Sequence, residues 1–199
     1  MKLFYSQTSP YARKVNMLLQ LSSVVNDYEL VLSNFESPDL RAKNPLGKIP
    51  ALVDGELSLF ESTLICEYLD DKHVAGGGRS FFRKDEAGYY LRQREHMRAN
   101  GILDAAVPTV MESRRTTEHS QHWLGRWKLA IDSALKTVEL EHLGSAEDPH
   151  IATVAMVAAL GYLDFRLSHY QWRNCNAALA DWYKSLEDQD WLVNTAPPL

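Results

Sequence analysis

The hydrophobic pattern of this chain changes character once, near residue 73, and that change constrains the architecture more than any other feature. Before it, short apolar runs of strand length alternate with helical patterns. Beyond it no run of alternating β-branched residues occurs, and long helical patterns take over. A chain of 199 residues built this way reads as a small mixed α/β domain followed by an all-helical one.

The first third can be read element by element. Leu3 to Ser6 is a compact apolar run, and Ser9-Pro10 then opens a helix. Serine can cap the free N–H groups of a first turn, and proline there loses nothing by lacking its own. Val15, Leu18 and Leu19 follow at helical spacing. Tyr28 to Leu32 reads as a second strand, with Tyr28, Leu30 and Leu32 on one face. Strand, helix and strand within about 30 residues form a βαβ unit, whose two strands are parallel. Ser37-Pro38 opens a short second helix, and Asn44-Pro45 closes it because a residue before proline avoids the helical region. Ala51 to Val53, Asp54-Gly55 and Leu57 to Phe60 read as a tight antiparallel hairpin. Ser62 is expected to cap a third helix with Leu64, Ile65, Tyr68 and Leu69 as its apolar stripe. The order βαβ-α-ββα makes a four-stranded mixed sheet.

Gly76-Gly77-Gly78 reads as a flexible linker. The expected domains are residues 1–75, a linker at 76–84, and a helical domain at 85–199. Its helical patterns run from Asp85 to Val107, Glu118 to Leu143, Pro149 to Arg166 and Cys175 to Glu187. The stretch from Ile151 to Tyr162 is apolar nearly all round, as a buried central helix requires. Asp148-Pro149 supplies its expected start.

Charge and cysteine usage exclude several functions. A net charge of −5 with no basic stripe argues against nucleic acid as partner. No apolar run approaches the ~18 residues that a membrane crossing needs, and the opening residues lack the apolar core of a secretory signal. Cys66 and Cys175 are far apart and in no CxxC spacing, which suits a reducing cytoplasmic setting and argues against a metal or disulfide framework. His119 and His122 lie three apart on a helical pattern without a third ligand, so no metal is expected. The Arg92, Arg94 and Arg98 set reads as a solvated face, and Trp123 with Trp127 as packing.

Four features coincide in order: Thr8 to Val15 (TSPYARKV), Asn44 to Leu52 (NPLGKIPAL), Phe60-Glu61-Ser62, and a helical second half ending in Gly161 to Arg166 (GYLDFR). Together they resemble the glutathione transferase family, specifically its serine-type bacterial members. The resemblance implies a thioredoxin-like first domain, glutathione as co-substrate, a small hydrophobic electrophile as second substrate, and a homodimer. It also implies attack of the glutathione thiolate on an electrophilic carbon or a disulfide. A non-catalytic glutathione-binding or regulatory protein on the same fold is the alternative, because fold does not decide function.

Ser9 is the candidate catalytic residue. Its hydroxyl stands at a helix N-terminus, where free N–H groups and the helix dipole favour negative charge. A hydrogen bond donated to sulfur favours the thiolate. Tyr5, Ser6 and Thr8 are competitors, of which Tyr5 lies inside the strand. Ile49-Pro50, where proline opens a strand, suggests a cis peptide. The resemblance implies that the backbone of Ile49 pairs with the cysteinyl part of glutathione, and Lys48 can neutralise its glycine carboxylate. Ser62 and Glu61 would receive the γ-glutamyl carboxylate and ammonium respectively. Tyr11, Ala12, Leu103, Val107 and Met111 are the candidate lining for the second substrate, with Trp191 near the end of the chain as a candidate closure. One departure from the family pattern concerns the central helix, where His150 and Thr153 stand in place of a Ser/Thr-x-x-Asp capping box, so a degraded box is expected.

Overall fold

The computed structural model describes residues 1–22 and 26–198. Its elements are β1 (Lys2–Tyr5), α1 (Pro10–Leu21), β2 (Glu29–Leu32), α2 (Pro38–Lys43), β3 (Ala51–Asp54), β4 (Leu57–Phe60) and α3 (Ser62–Ala75). After these come α4 (Tyr89–Ser113), α5 (Gln121–Lys136), α6 (Ile151–Arg166), α7 (Ala177–Lys184) and α8 (Asp190–Val193). The chain forms two compact units, one comprising Met1–Asp85 with Asp190–Leu199, the other Glu86–Gln189.

In the first unit the sheet order is β2-β1-β3-β4, with β1 parallel to β2 and antiparallel to β3, and β3 antiparallel to β4. This is the expected βαβ-α-ββα arrangement, a thioredoxin-like mixed sheet with helices. Phe4, Ala12, Leu40, Ile49 and Ala51 form one buried cluster, against which Tyr5, Val31, Val53 and Phe60 pack. The second strand differs from expectation. Tyr28 lies outside it, Leu30 and Leu32 are exposed, and Val31 is the residue that packs inward. The register decides this, because β2 is an edge strand and Val31 stands opposite the core residue Phe4.

The buried face of α3 also differs from the apolar stripe read from sequence. Ile65 and Leu69 are buried as expected, but Leu64 is 47% exposed, while Ser62, Cys66, Asp70 and His73 all face inward. The polar groups of Ser62, Asp70 and His73 are tolerated because each has a partner. The Asp70 carboxylate accepts from the Phe81 N–H and the Ser80 hydroxyl, both at 2.6 Å. The His73 ring meets the Ser22 hydroxyl at 3.0 Å and stacks on Phe81.

The glycine triplet is a helix terminus and not a loose tether. Gly76, Gly77 and Gly78 N–H groups donate back to Lys72, Val74 and His73 carbonyls, satisfying the free end of α3. A Cβ on Gly78 would lie 2.1 Å from His73 Nε2, so only glycine fits against that buried ring. Phe81 and Phe82, within the expected linker 76–84, are buried in the first unit. The chain end assigned to the helical domain also belongs to this unit. The Arg13 guanidinium donates to the Leu192 carbonyl at 3.2 Å and reaches the Thr195 hydroxyl at 3.5 Å, and α8 packs on α1.

In the second unit α6 is the core, with every residue from Ile151 to Leu163 buried and α4 packed along it. Its start is Ile151 with His150 as cap, not Asp148-Pro149. The capping box is intact in function. The His150 N–H donates to Thr153 Oγ1 at 2.9 Å, and the Ala152 N–H donates to His150 Nδ1 at 3.3 Å. Threonine and imidazole thus supply the acceptors that carboxylate and serine supply in the usual box. The Thr153 hydroxyl also donates to the Leu143 carbonyl, so one side chain ties the helix start to the preceding turn. On α4, Arg94 and Arg98 are more than a solvated face. They clasp the fully buried Glu95, with Arg98 Nε at 2.8 Å and Arg94 Nε at 3.3 Å. Trp123 and Trp127 stack on each other at 5.8 Å, with Trp123 half-exposed. Among the described residues no single helix is long and apolar enough to cross a membrane.

Two glycine substitutions therefore have opposite signs. Gly78→Ala forces its Cβ into the His73 ring and lowers stability by about 1–3 kcal/mol. Gly101→Ala, exposed within α4 with nothing near its would-be Cβ, raises stability by ~0.5–1 kcal/mol. Denaturant unfolding of both variants checks the pair. Thr153→Val keeps the shape but leaves the His150 N–H and the Leu143 carbonyl unpaired in a buried setting. The same measurement is expected to show a loss of about 2 kcal/mol or more.

Candidate functional site

Strand register gathers the motif residues. Ala51 at the start of β3 stands opposite Phe4 in β1 on one side and opposite Phe60 in β4 on the other. The segments that leave those three positions, Ser6 to Ser9, Ile49-Pro50 and Glu61-Ser62, therefore emerge at one end of the sheet. Three stretches separated by about 40 and about 12 residues of sequence meet there because β3 pairs antiparallel with both β1 and β4, so those two strands end where β3 begins.

Ser9 is the N-cap of α1, with extended backbone (φ −82°, ψ 116°). Its Oγ accepts the Ala12 N–H at 3.2 Å, and the residue is half-buried. Among the described residues nothing accepts the hydroxyl proton of Ser9, so cap duty uses a lone pair and leaves the donor for another partner. Pro10 follows as the first helical residue.

The Ile49-Pro50 peptide is cis. The loop leading to it is organised by Asn44, a residue that sequence reading treats only as a helix end. Asn44 is buried, its Nδ2 donates to the Lys48 carbonyl at 2.8 Å, and its Oδ1 accepts the Leu46 N–H at 3.0 Å. The signal for this was an Asx residue two positions before a further loop N–H, a turn that asparagine makes with its own side chain. Gly47 has φ +63°, with the Arg41 guanidinium within 3.2 Å of where a Cβ would stand, so glycine is required there. Lys48 is exposed and its side chain is directed by no ion pair among the described residues, while Ile49 and Pro50 are buried. Among the described residues no group hydrogen-bonds to the N–H or C=O of Ile49.

Glu61, not Ser62, caps α3. Its φ of +76° is a conformation that L residues rarely adopt, at a cost of about 1–3 kcal/mol. The carboxylate offsets it. Oε2 accepts the N–H groups of Thr63 at 3.0 Å and Leu64 at 3.2 Å, and Oε1 accepts the Ser62 hydroxyl at 3.3 Å. A carboxylate offers about four acceptor sites, so Oε1 retains room for one more donor. Ser62 is buried as the first residue of the helix.

One further residue of this end of the unit, Lys14, escaped sequence reading. Lys14 is fully buried, and its Nζ lies 3.5 Å from Thr63 Oγ1 in the first turn of α3. Cys66, one turn further along α3, is also fully buried, and burial pushes its thiol up to about 12 although the Lys14 charge opposes the shift. It is a packing residue with no nucleophilic capacity near neutral pH. Of the expected second-substrate residues, Tyr11 and Ala12 lie in the first turn of α1, with Tyr11 partly exposed and Ala12 buried. Leu103, Val107 and Met111 share one line along α4 in the second unit, where Leu103 is buried and Met111 is 44% exposed. Trp191 is buried in α8 within the first unit.

Residues 3–77 match the family model described as "Glutathione S-transferase, N-terminal domain". A glutathione transferase family member from Pseudomonas fluorescens Pf-5, solved with bound glutathione, is 36% identical, with a TM-score of 0.88 and coverage of 100% of this chain and 99% of that one. A glutathione S-transferase from Methylobacillus flagellatus, solved with glutathione bound, is 31% identical with a TM-score of 0.88 and 99% coverage of both chains. The uncharacterised GST-like protein YibF of Escherichia coli K12 is 29% identical over 203 aligned positions, covering 100% of this chain and 99% of that protein. Sequence motifs, sheet topology and full-length similarity agree, and the chain belongs to the glutathione transferase family.

Proposed function

We propose that this chain is an enzyme that binds glutathione, stabilises its thiolate through Ser9, and directs that sulfur at an electrophilic carbon or a disulfide. The observation that carries the reading is the convergence of Ser9, Ile49-Pro50 and Glu61-Ser62 at one end of the sheet, each with a hydrogen-bonding group left over after its structural duty. The relatives solved with glutathione support it.

Each part of the tripeptide meets a fitting group. The γ-glutamyl ammonium matches the remaining acceptor position on Glu61 Oε1. Its carboxylate matches the first turn of α3, where the helix dipole favours an anion. The cysteinyl backbone pairs with the N–H and C=O of Ile49 as an added strand does, and the exposed Lys48 stands by for the glycine carboxylate. The sulfur takes the free proton of the Ser9 hydroxyl as a hydrogen bond. That bond is stronger to a thiolate than to a thiol, so it lowers the pKa of the bound thiol below the ordinary value of about 8.5. The nucleophile comes from the ligand, and the protein supplies orientation and electrostatic stabilisation. We place the protein in the reducing cytoplasm, where glutathione is the abundant thiol and two unpaired cysteines are at home.

Ser9→Ala tests the central role. The pH titration of the bound thiolate's ultraviolet absorbance is expected to move up toward the free-thiol value, and kcat/KM toward an aryl halide to fall about 10²–10³-fold. Thermal stability falls by only about 1 kcal/mol from the lost cap, so the folded fraction remains high. Glutathione binding with an unchanged titration in Ser9→Ala would remove Ser9 from the chemistry. Binding by the unaltered chain without turnover of aryl halides or glutathione-linked disulfides would leave a binding protein in place of an enzyme.

A further inference from the structure

Lysine is almost never fully buried unless its ammonium has partners, because taking that ammonium from water costs several kcal/mol even after relaxation. Lys14 is fully buried in the α1–α3 interface, where leucine or methionine would fill the same volume without that cost. Its Nζ reaches Thr63 Oγ1 in the first turn of α3. That turn is where the glutathione reading seats the γ-glutamyl carboxylate. The Thr63 N–H, in turn, holds Glu61. A positive charge is thus set beneath the anion-receiving end of α3, inside the protein, where weak screening lets it act over several ångströms.

We propose that Lys14 is a positioning residue that acts as a buried counter-charge for the ligand's γ-glutamyl carboxylate, strengthening its capture at the α3 N-terminus without touching it. The proposal rests on the glutathione reading and deepens it. The carboxylate of Glu61 already has three donors: two N–H groups and the Ser62 hydroxyl. A second carboxylate arriving with the ligand enters a turn that holds one anion already. The like-charge repulsion between the two is what a fixed cation beneath the turn relieves. Lys14 also lies four residues after Pro10 and five after Ser9 on the same helix. The charge that favours the γ-glutamyl end is therefore rigidly tied to the helix whose cap faces the sulfur.

Isothermal calorimetry on the full chain decides the matter with two ligands: glutathione, and its analogue carrying a carboxamide in place of the γ-glutamyl carboxylate. Lys14→Met is expected to weaken glutathione binding about tenfold, equivalent to ~1.4 kcal/mol, and to leave the carboxamide within about twofold of its affinity for the unaltered protein. Lys14→Arg keeps the charge and is expected to restore most of the glutathione affinity. If Lys14→Met does not fold, Lys14→Gln removes the charge while keeping a polar side chain of hydrogen-bonding capacity, and carries the same comparison. Equal weakening of both ligands would mean that Lys14 merely supports Glu61 and would overturn the proposal, as would unchanged glutathione affinity. A wild-type chain that binds no glutathione would take down the functional reading itself, before any variant is compared.

Discussion

The site depends on the position of one small residue. Ala51 has a partner on each side, Phe4 and Phe60, and it is fully buried between them. A one-residue slip at either pairing would turn every side chain of the displaced strand to the other face. It would also carry Glu61 or Ser9 out of line with Ile49. The cluster of Phe4, Ala12, Leu40 and Ile49 around Ala51 penalises such a slip, because the displaced strand would withdraw its own member of the cluster from the core. The hydrophobic packing that holds the sheet in register is thereby the same packing that assembles a polar binding edge.

On that frame, polar side chains do two jobs at once. Ser9 spends a lone pair on α1 and keeps its proton. Glu61 spends three acceptor positions on α3 and Ser62 and keeps a fourth. The rare backbone conformation of Glu61 follows from this use. A positive φ turns the chain sharply from β4 into α3, so the same carboxylate can reach the helix N–H groups and still border the sheet end. A serine cap, with its single short oxygen, would satisfy the helix but leave no carboxylate there for an ammonium.

Local motifs were readable wherever the partner lies within a few residues. Ser9-Pro10 and Ser37-Pro38 announce helix starts, Asp54-Gly55 announces a hairpin, and Ile49-Pro50 announces a cis bond, and the structure contains all four. What escaped depends on partners chosen by the fold. Ser62 looks like the better cap by residue type, yet Glu61 holds the position because the strand ends there. The α3 stripe differs at Leu64 because Asp70 and His73 turn inward where Ser80, Phe81 and Ser22 come round to satisfy them. His150 and Thr153 looked like a spoiled capping box because residue identity was weighed in place of what the box needs, two acceptors three residues apart. The glycine triplet looked flexible until a histidine ring occupied the space beside it. The return of the chain end to α1 is a contact across 179 residues, from Arg13 to Leu192, which no local pattern encodes.

The inertness of Cys66 completes the division of labour. A thiol pushed up to about 12 and sealed in the α1–α3 interface is neither ionised nor reachable, although it sits in the helix that begins at the binding edge. Had this position been open to solvent near the cationic side of Lys14, it would have been an activated thiolate competing with the ligand's sulfur for the same electrophile. Burial prevents that competition. Of the three groups at this end of the unit that could bear on sulfur chemistry, one hydroxyl faces the edge, one ammonium lies beneath it, and the protein's own thiol is withdrawn. That arrangement favours a sulfur delivered from outside, oriented by the backbone and stabilised by charge, over covalent catalysis by the chain.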